Sequence, residues 1–154
     1  MDKARENSDF SKTGILLLSH GSRLSYGLDV INSLSSMYQK EYPNAIVEIG
    51  FMEAREPNIP QAFENLKKRG DLSKIIVVPV FIAHGLHTKR DIPKILGLES
   101  EVEEHTHNHH GGHHHHHHHE HEKVDFNGEI IFTDPLEDDP LVLEIIKKRI
   151  SKAL

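Results

Sequence analysis

The chain has no cysteine and no tryptophan, and its apolar runs are short. Without cysteine, disulfides and thiolate metal sites are excluded, so a metal would have to bind through imidazole and carboxylate groups. No apolar run approaches the roughly 20 residues that a membrane-spanning helix needs. Residues 1–13 are polar and mixed in charge, unlike a secretory signal peptide. These absences predict a soluble cytoplasmic protein with no membrane partner.

Basic residues are also outnumbered. The chain carries 18 Lys and Arg against 24 Asp and Glu, a formal net charge of −6. Most of this excess is local, because residues 99–123 hold six glutamates and one lysine. No basic surface for nucleic acid is therefore expected. The length of 154 residues fits one domain with a sizeable core.

The chain does contain a fourfold alternation of apolar runs and amphipathic segments. The apolar runs at 14–22, 45–53, 74–82 and 128–136 are typical of buried strands. Apolar residues recur at helical spacing over about 25–42, 59–70, 92–98 and 141–153. This order predicts a single α/β domain, a four-stranded parallel sheet flanked by helices, with right-handed crossovers and a flavodoxin-like topology.

Histidines stand where two of the predicted strands end. His20 ends the first strand, and His84 and His87 lie just beyond the third. Ligands of such sheets bind beyond the carboxyl ends of the strands, so His20 and the loop of His84 and His87 should come together at one edge. Two imidazoles form a metal site with open positions, which suits delivery or chemistry. A lone histidine there would more often cap a turn, and it is the coincidence of two loops that favours a metal site.

Charged side chains are expected at the same edge. Arg23, Lys89 and Arg90 lie in or after the same loops. Taken singly, each is typical of a solvated loop, but together they suit an anionic ligand, because cationic side chains pair with carboxylates. Glu53 and Glu56 come from the end of the second strand. A carboxylate there could orient an imidazole or take a proton, or Glu56 could simply start a turn.

Three segments of the chain resemble a known family. They are LLLSHGSR (residues 16–23), VEIGFMEAREPNIPQAFENL (residues 47–66) and IIVVPVFIAHGLHTKRDIP (residues 75–93). In combination they resemble the signature segments of the small CbiX/CfbA-type chelatases, archaeal half-length relatives of the class II chelatases. The resemblance implies a chelatase-like domain over residues 14–154, preceded by a flexible extension at 1–13.

The resemblance also implies an activity. Small chelatases of this type are lyases that insert Ni²⁺ or Co²⁺ into sirohydrochlorin, for a nickel tetrapyrrole of methanogenesis or for cobalamin. The metal would be a substrate, with no permanently bound cofactor, and the partners would be sirohydrochlorin, a divalent metal ion and a second copy in a homodimer. The implied metal ligands are His20 and His87, with His20 also the proton acceptor. The implied substrate-binding residues are Glu56, Phe81, Ile82, Ala83, His84, Gly85 and Leu86.

Twelve of the fifteen histidines lie in residues 105–121, which contain no apolar side chain. This composition predicts a disordered insertion over 99–123 that binds divalent metals loosely. Our hypothesis is that it raises the metal concentration near His20 and His87. Two alternatives stay open: a histidine-rich nickel storage or delivery protein, and a ferrochelatase acting on sirohydrochlorin. The sequence does not separate the metals, because selectivity follows geometry and metal supply more than affinity.

Overall fold

The computed structural model describes residues 10–98 and 123–154. The strands are β1 (Thr13–Ser19), β2 (Ile46–Phe51), β3 (Lys74–Pro79) and β4 (Glu129–Phe132). The α-helices are α1 (Ser25–Glu41), α2 (Ile59–Lys67), α3 (Leu86–Leu96) and α4 (Pro140–Ala153). One short 3-10 turn (Phe10–Lys12) precedes β1.

The four strands form one parallel sheet in the order β2-β1-β3-β4. In β1, Leu17 lies opposite Ile49 of β2 and Val78 of β3. The central strands β1 and β3 are apolar along most of their length because helices cover both faces of the sheet. The predicted four-stranded parallel sheet is confirmed, and its order places the ends of β1 and β3 side by side.

The core lies on both faces of the sheet. On one face, α2 and α3 cover the sheet, and Leu16, Leu18, Phe63, Ile75 and Val77 are fully buried there. Helix α2 begins at a capping box. The Asn58 side chain accepts from the Gln61 backbone N–H, and the Gln61 side chain accepts from the Asn58 backbone N–H. The second face has a smaller cluster, with partly buried aromatic residues of α1 beside it.

The folded domain begins earlier than the sequence predicts. Phe10 is buried, and its ring makes edge contacts with Tyr38 at 6.3 Å and Tyr42 at 5.7 Å between centroids. The predicted flexible extension of residues 1–13 is therefore wrong for its last residues, because one aromatic side chain packs them against α1. Residues 1–9 lie outside the described part of the chain.

Helix α3 also differs from its prediction. A short helix was expected at residues 92–98, whereas α3 starts at Leu86, with Gly85 as its N-cap. The buried Ile92, Ile95 and Leu96 line its inner face. Its first turns are polar, so apolar periodicity does not reveal them. The helix ends at Gly97, which has a φ of 73°, a conformation that glycine adopts without strain.

The chain on either side of residues 99–122 is anchored to the fold, although that segment, which contains most of the predicted insertion, lies outside the described residues. The backbone N–H of Val124 donates to the carbonyl of Ile95 at 2.9 Å. Phe126 packs edge-on against Phe63, 6.0 Å between centroids, and Lys67 Nζ donates to the Asp125 carbonyl at 2.8 Å. Both attachment points lie toward the amino ends of the strands, since β4 starts shortly afterwards at Glu129.

Helix α4 has no buried residue in the monomer. It starts where the Asp139 side chain accepts a hydrogen bond from the Leu141 N–H at 2.9 Å, with Pro140 in its first turn. Leu143, Ile146 and Ile150 are each about half exposed. Among residues 10–98 and 123–154, no helix is long and apolar enough to cross a bilayer.

Candidate functional site

The loops after β1 and β3 meet at the carboxyl edge of the sheet. These are the β1–α1 loop (residues 20–24) and the β3–α3 loop (residues 80–85). The N–H of Val80 donates to the Leu18 carbonyl at 2.8 Å, so the second loop starts against β1. The rings of His20 and Phe81 then lie edge to face, 6.2 Å apart. The predicted meeting of His20 with the loop after the third strand is confirmed.

His20 is paired with a carboxylate. Its Nδ1 lies 3.4 Å from Oε1 of Glu53, and the two side chains are 56% and 62% exposed. An ion pair this open to water contributes little to stability. Its effect is on orientation, because a carboxylate at Nδ1 favours the proton on that nitrogen and leaves the lone pair on Nε2. His20 therefore presents Nε2 as a metal ligand or a proton acceptor.

The β1–α1 loop and the β2–α2 loop (residues 52–58) interlock beside this pair. Gly21 has a φ of 97°, and a Cβ there would collide with the Glu53 carbonyl oxygen. Arg55 reaches back from the β2–α2 loop, with Nε donating to the Ser22 carbonyl at 2.6 Å and Nη2 to the Arg23 carbonyl at 3.2 Å. One guanidinium thus ties together the two loops that carry His20 and Glu53.

Aromatic rings continue along the edge from His20 toward β4. Phe81 contacts the ring of His84 edge to face at 5.5 Å, and His84 contacts Phe132 at 5.5 Å with the rings tilted by 55°. Imidazole and phenyl rings therefore alternate across the ends of β1, β3 and β4. This aromatic row gives the edge a largely apolar surface with two imidazoles in it.

His84 is held by a buried hydroxyl. Its Nδ1 lies 3.0 Å from Oγ1 of Thr88, which is 3% exposed and donates to the Gly85 carbonyl at 3.0 Å. The pKa of His84 is lowered from its ordinary value, mainly because partial burial disfavours the charged ring. The nearby charge of Lys89 lowers the pKa further. His84 is therefore neutral near pH 7.

Two open cavities adjoin at His84 and Lys89. The larger, of about 550 Å³, is also lined by Ile82, Ala83, Glu137 and Asp138. The smaller, of about 230 Å³, runs between α3 and the end of β4. Apolar, cationic and carboxylate groups thus surround one imidazole in a space open to solvent.

Six of the predicted substrate-binding residues lie together on or beside the β3–α3 loop. They are Phe81, Ile82, Ala83, His84, Gly85 and Leu86. Ile82 and Leu86 expose 56% and 73% of their surface, which leaves apolar area for a ligand. Glu56 lies apart from them: its Oε1 accepts from Gln61 Nε2 of α2 at 3.4 Å, and it lines neither cavity.

The predicted metal site is described only in part. His87 falls in the first turn of α3, but its side chain lies outside what the structure describes. Among the described residues, no group of three or more histidine, aspartate or glutamate side chains could hold a metal ion. Nδ1 of His20 and Oε1 of Glu53, 3.4 Å apart, form an imidazole–carboxylate pair among the described residues. The pairing of His20 with His87 stays a prediction.

Only part of the expected cationic set faces outward. Arg90 Nε lies 3.2 Å from Oδ1 of Asp91, so this charge is neutralised within α3. Arg55 is committed to backbone carbonyls. Arg23 and Lys89 form no ion pair with a carboxylate of residues 10–98 or 123–154. These two remain for an anionic ligand.

A model of the CbiX family matches residues 14–153, nearly the whole chain. The chain belongs to the CbiX family. It is 48% identical over 143 residues to a sirohydrochlorin cobaltochelatase of Methanothermobacter thermautotrophicus, with 93% of this chain and 94% of that protein covered. A protein of the same name from Methanococcus aeolicus is 51% identical over 138 residues, covering 88% and 95% of the two chains.

Solved CbiX-like structures share the fold. A CbiX protein described as a putative cobalamin biosynthesis protein of Marinobacter aquaeolei superposes with a TM-score of 0.61 at 22% identity, covering 92% of this chain and 97% of that one. SirB from Bacillus subtilis with Fe³⁺ gives a TM-score of 0.63 at 24% identity, covering 92% of this chain but 47% of SirB. The present CbiX chain thus corresponds to half of the longer protein.

Two features of this CbiX site go beyond what the sequence predicts, because the sequence left open whether Glu53 or Glu56 would orient an imidazole and gave no role to Thr88. The pairing of Glu53 with His20 follows from the adjacency of β1 and β2, whose ends meet at the same edge. The buried Thr88 follows from the early start of α3. A polar side chain in the first turn of a helix, three residues after a glycine, was the available signal for the second feature.

Proposed function

We propose that this chain is a sirohydrochlorin chelatase that inserts Co²⁺, or alternatively Ni²⁺, into the ring. The observation that carries the proposal is an exposed His20–Glu53 pair beside an aromatic row, in a chain about half identical to sirohydrochlorin cobaltochelatases. The names of these relatives, sirohydrochlorin cobaltochelatases, favour cobalt over nickel and iron.

The chemistry requires a metal ligand, an apolar platform and cationic contacts. Insertion moves a divalent metal from protein ligands to four ring nitrogens and releases two protons from the ring. Nε2 of His20, together with His87, would hold the metal before transfer. The row of Phe81, His84 and Phe132 would lie against the macrocycle. Arg23 and Lys89 would meet ring carboxylates, since cations pair with carboxylates.

We also propose that two copies pair through α1 and α4. Leu143, Ile146 and Ile150 recur on one side of α4, at the three- and four-residue spacing of a helix stripe. Tyr26 and Met37 of α1 are 76% and 63% exposed. A second copy of the chain would remove both apolar surfaces from water, and burial of apolar area is the main force for association. The support is thus a helix with no buried residue of its own.

The test is a visible-absorbance assay of sirohydrochlorin metallation, with Co²⁺ and Ni²⁺ supplied separately. We expect His20→Ala and His87→Ala to slow the reaction by roughly 100-fold or more, because each removes a ligand or a base. Lys68→Ala is the control, since Lys68 is exposed at the far end of α2. A wild-type rate no faster than the spontaneous reaction would sink the proposal.

The same assay tests the rival storage function. A chain lacking residues 105–121 should metallate at the wild-type rate when metal is saturating and more slowly when metal is limiting. An unchanged rate at limiting metal would remove the supply hypothesis for this segment. A chain that binds several metal ions per protomer but never exceeds the spontaneous rate would instead favour storage.

A further inference from the structure

His20 has one nitrogen free for chemistry. Its Nδ1 faces Glu53, which leaves Nε2 for either a metal ion or a proton. One lone pair cannot hold the metal and accept a proton at the same time. Because metallation of the proposed substrate releases two ring protons while the metal is being passed on, a second base at this edge is needed.

We propose that His84 is this base and accepts the pyrrole N–H protons while His20 holds the incoming metal. The inference rests on the proposed function and assigns a division of labour between the two imidazoles of the aromatic row. His84 thereby changes from a residue that lines the pocket to one that takes part in the reaction.

Hydrogen bonding orients the lone pair of His84. The Thr88 hydroxyl has a single hydrogen, and it donates to the Gly85 carbonyl. Both 3.0 Å contacts of this hydroxyl are hydrogen bonds only if His84 Nδ1 carries a proton and donates to Oγ1. In the other tautomer one of these contacts is lost at the buried Thr88 hydroxyl, which disfavours that tautomer. The favoured tautomer therefore leaves the lone pair on Nε2.

The surroundings keep this lone pair available. Burial between Phe81 and Phe132 and the charge of Lys89 lower the pKa of His84, while Asp134 and Glu137 act weakly in the other direction. Asp138 also lines the cavity at His84, so the charged groups around the ring come from α3 and from the β4–α4 loop (residues 133–139). The neutral form therefore persists to a lower pH than in a free histidine, whose pKa is about 6.5.

The position of His84 suits proton transfer in both directions. One ring contact, through Phe81, separates it from His20, so both imidazoles lie along one side of a flat ligand placed on the aromatic row. The cavity of about 550 Å³ beside it opens to solvent. A proton taken from the ligand therefore has a short exit to water.

The proposed step balances without any further reactant. Two N–H bonds of the ring break, and both electron pairs stay on the ring nitrogens, which then bind the metal. Each proton moves to Nε2 of His84 and from there to water before the next one is taken. The metal keeps its charge of +2, so no oxidant or reductant is required.

His84→Ala and His84→Gln test the role of the imidazole. We expect the Co²⁺ metallation rate to fall by roughly 100-fold or more, as for loss of a general base. Titration with Co²⁺ alone should give an affinity within about twofold of wild type, because in this scheme His84 is not a ligand. The hindered base 2,6-lutidine, a proton acceptor but a poor metal ligand, should restore the rate of His84→Ala and leave that of His20→Ala unchanged.

The pH profile and the Thr88 variants give independent readouts. The wild-type rate should fall as the pH drops through the lowered pKa of His84, and this acid limb should disappear in His84→Gln. Thr88→Val should slow the reaction several-fold, because without the hydroxyl His84 is no longer held in the tautomer with its proton on Nδ1. Thr88→Ser keeps the hydroxyl and should not slow the reaction.

Four outcomes would overturn the inference, the last of them together with the proposed function. Metallation at the wild-type rate by both His84 variants would show that the imidazole is not needed. A parallel loss of Co²⁺ binding would make His84 a metal ligand instead of a base. If His84→Ala is folded, as checked by circular dichroism, and lutidine does not raise its metallation rate, proton transfer by His84 is excluded. If wild type itself fails to metallate, the proposed function falls and this inference falls with it.

Discussion

Two histidines at the same edge differ in what surrounds them. His20 is more than half exposed and faces a carboxylate, whereas His84 lies between two phenyl rings with its Nδ1 on a hydroxyl. A nearby carboxylate stabilises an imidazole that carries or gains positive charge, and an apolar setting disfavours that charge. One residue type is thus placed in two electrostatic settings within one row of rings, and each setting suits a different step of metallation.

At the residue scale, Gly21→Ala should weaken the site. The new Cβ would collide with the Glu53 carbonyl, and the φ of 97° is unfavourable for alanine. We expect a loss of roughly 1–3 kcal/mol in the free energy of unfolding, with weaker Co²⁺ binding as the loop moves. Urea unfolding and Co²⁺ titration measure the two effects.

Gly27→Ala is the matched control for this variant. Gly27 lies in α1, and a Cβ there meets nothing within 4 Å. Alanine should therefore stabilise the helix by about 0.5–1 kcal/mol and leave Co²⁺ binding unchanged. Equal stability of the Gly21→Ala variant and wild type would contradict the clash.

At the scale of elements, the site depends on how two loops hold each other. The β1–α1 loop carries His20 and the β2–α2 loop carries Glu53, and the two strands before them are hydrogen-bonded neighbours. The strands bring the loops close, but the side chain of Arg55 fixes one against the other. The side chains of His20 and Glu53 are therefore positioned by Arg55, whose guanidinium bonds to backbone carbonyls of the β1–α1 loop.

Arg55→Ala should reduce Co²⁺ affinity by roughly tenfold, as loss of an outer contact around a metal site usually does. Arg55→Lys should recover part of this loss, because an ammonium keeps the charge but cannot bond both carbonyls in the guanidinium geometry. Arg69→Ala is the control: Arg69 also donates to a carbonyl, that of Val47 at 2.7 Å, but at the opposite end of β2. It should lose stability without losing Co²⁺ affinity, and a similar loss of affinity in both alanine variants would refute a positional role for Arg55.

Most elements of the fold could be predicted from sequence, since the strands are nearly continuous apolar runs and three helices have clear apolar spacing. The start of α3 could not, because its first turn is polar and is defined by Gly85 and by the back-bonded Thr88. Periodicity reports which face of a helix is buried. It carries no information about turns that face solvent.

For the site, the sequence predicts which loops come together. The strand ends placed His20 beside the loop that carries His84, and the structure confirms this. Which of Glu53 and Glu56 would contact His20 could not be decided, because the contact depends on the left-handed turn at Gly21 and on the tight turn at Ala54, whose φ is 64°. The tautomer of His84 likewise depends on a hydroxyl buried by tertiary packing.

At the scale of the whole molecule, α4 is a helix with no buried residue inside one chain. Its apolar side chains stay half exposed, so a charge placed there should cost the monomer little. We expect Ile146→Glu to convert a dimer into a folded monomer, observed by sedimentation velocity at micromolar concentration. Lys148→Glu, on the polar side of the same helix, should remain dimeric. A wild-type chain that sediments as a monomer would contradict the proposed pairing.

The hydrogen bond between Val124 and Ile95 has a practical consequence for engineering. Together with the Phe126–Phe63 and Lys67–Asp125 contacts, it holds the chain on either side of residues 99–122 against the fold, toward the amino ends of the strands and away from His20. A compact reporter domain whose own termini lie close together could replace residues 99–122 without touching the edge that carries His20. Residues 99–122 are thus a suitable place to insert a fluorescent reporter.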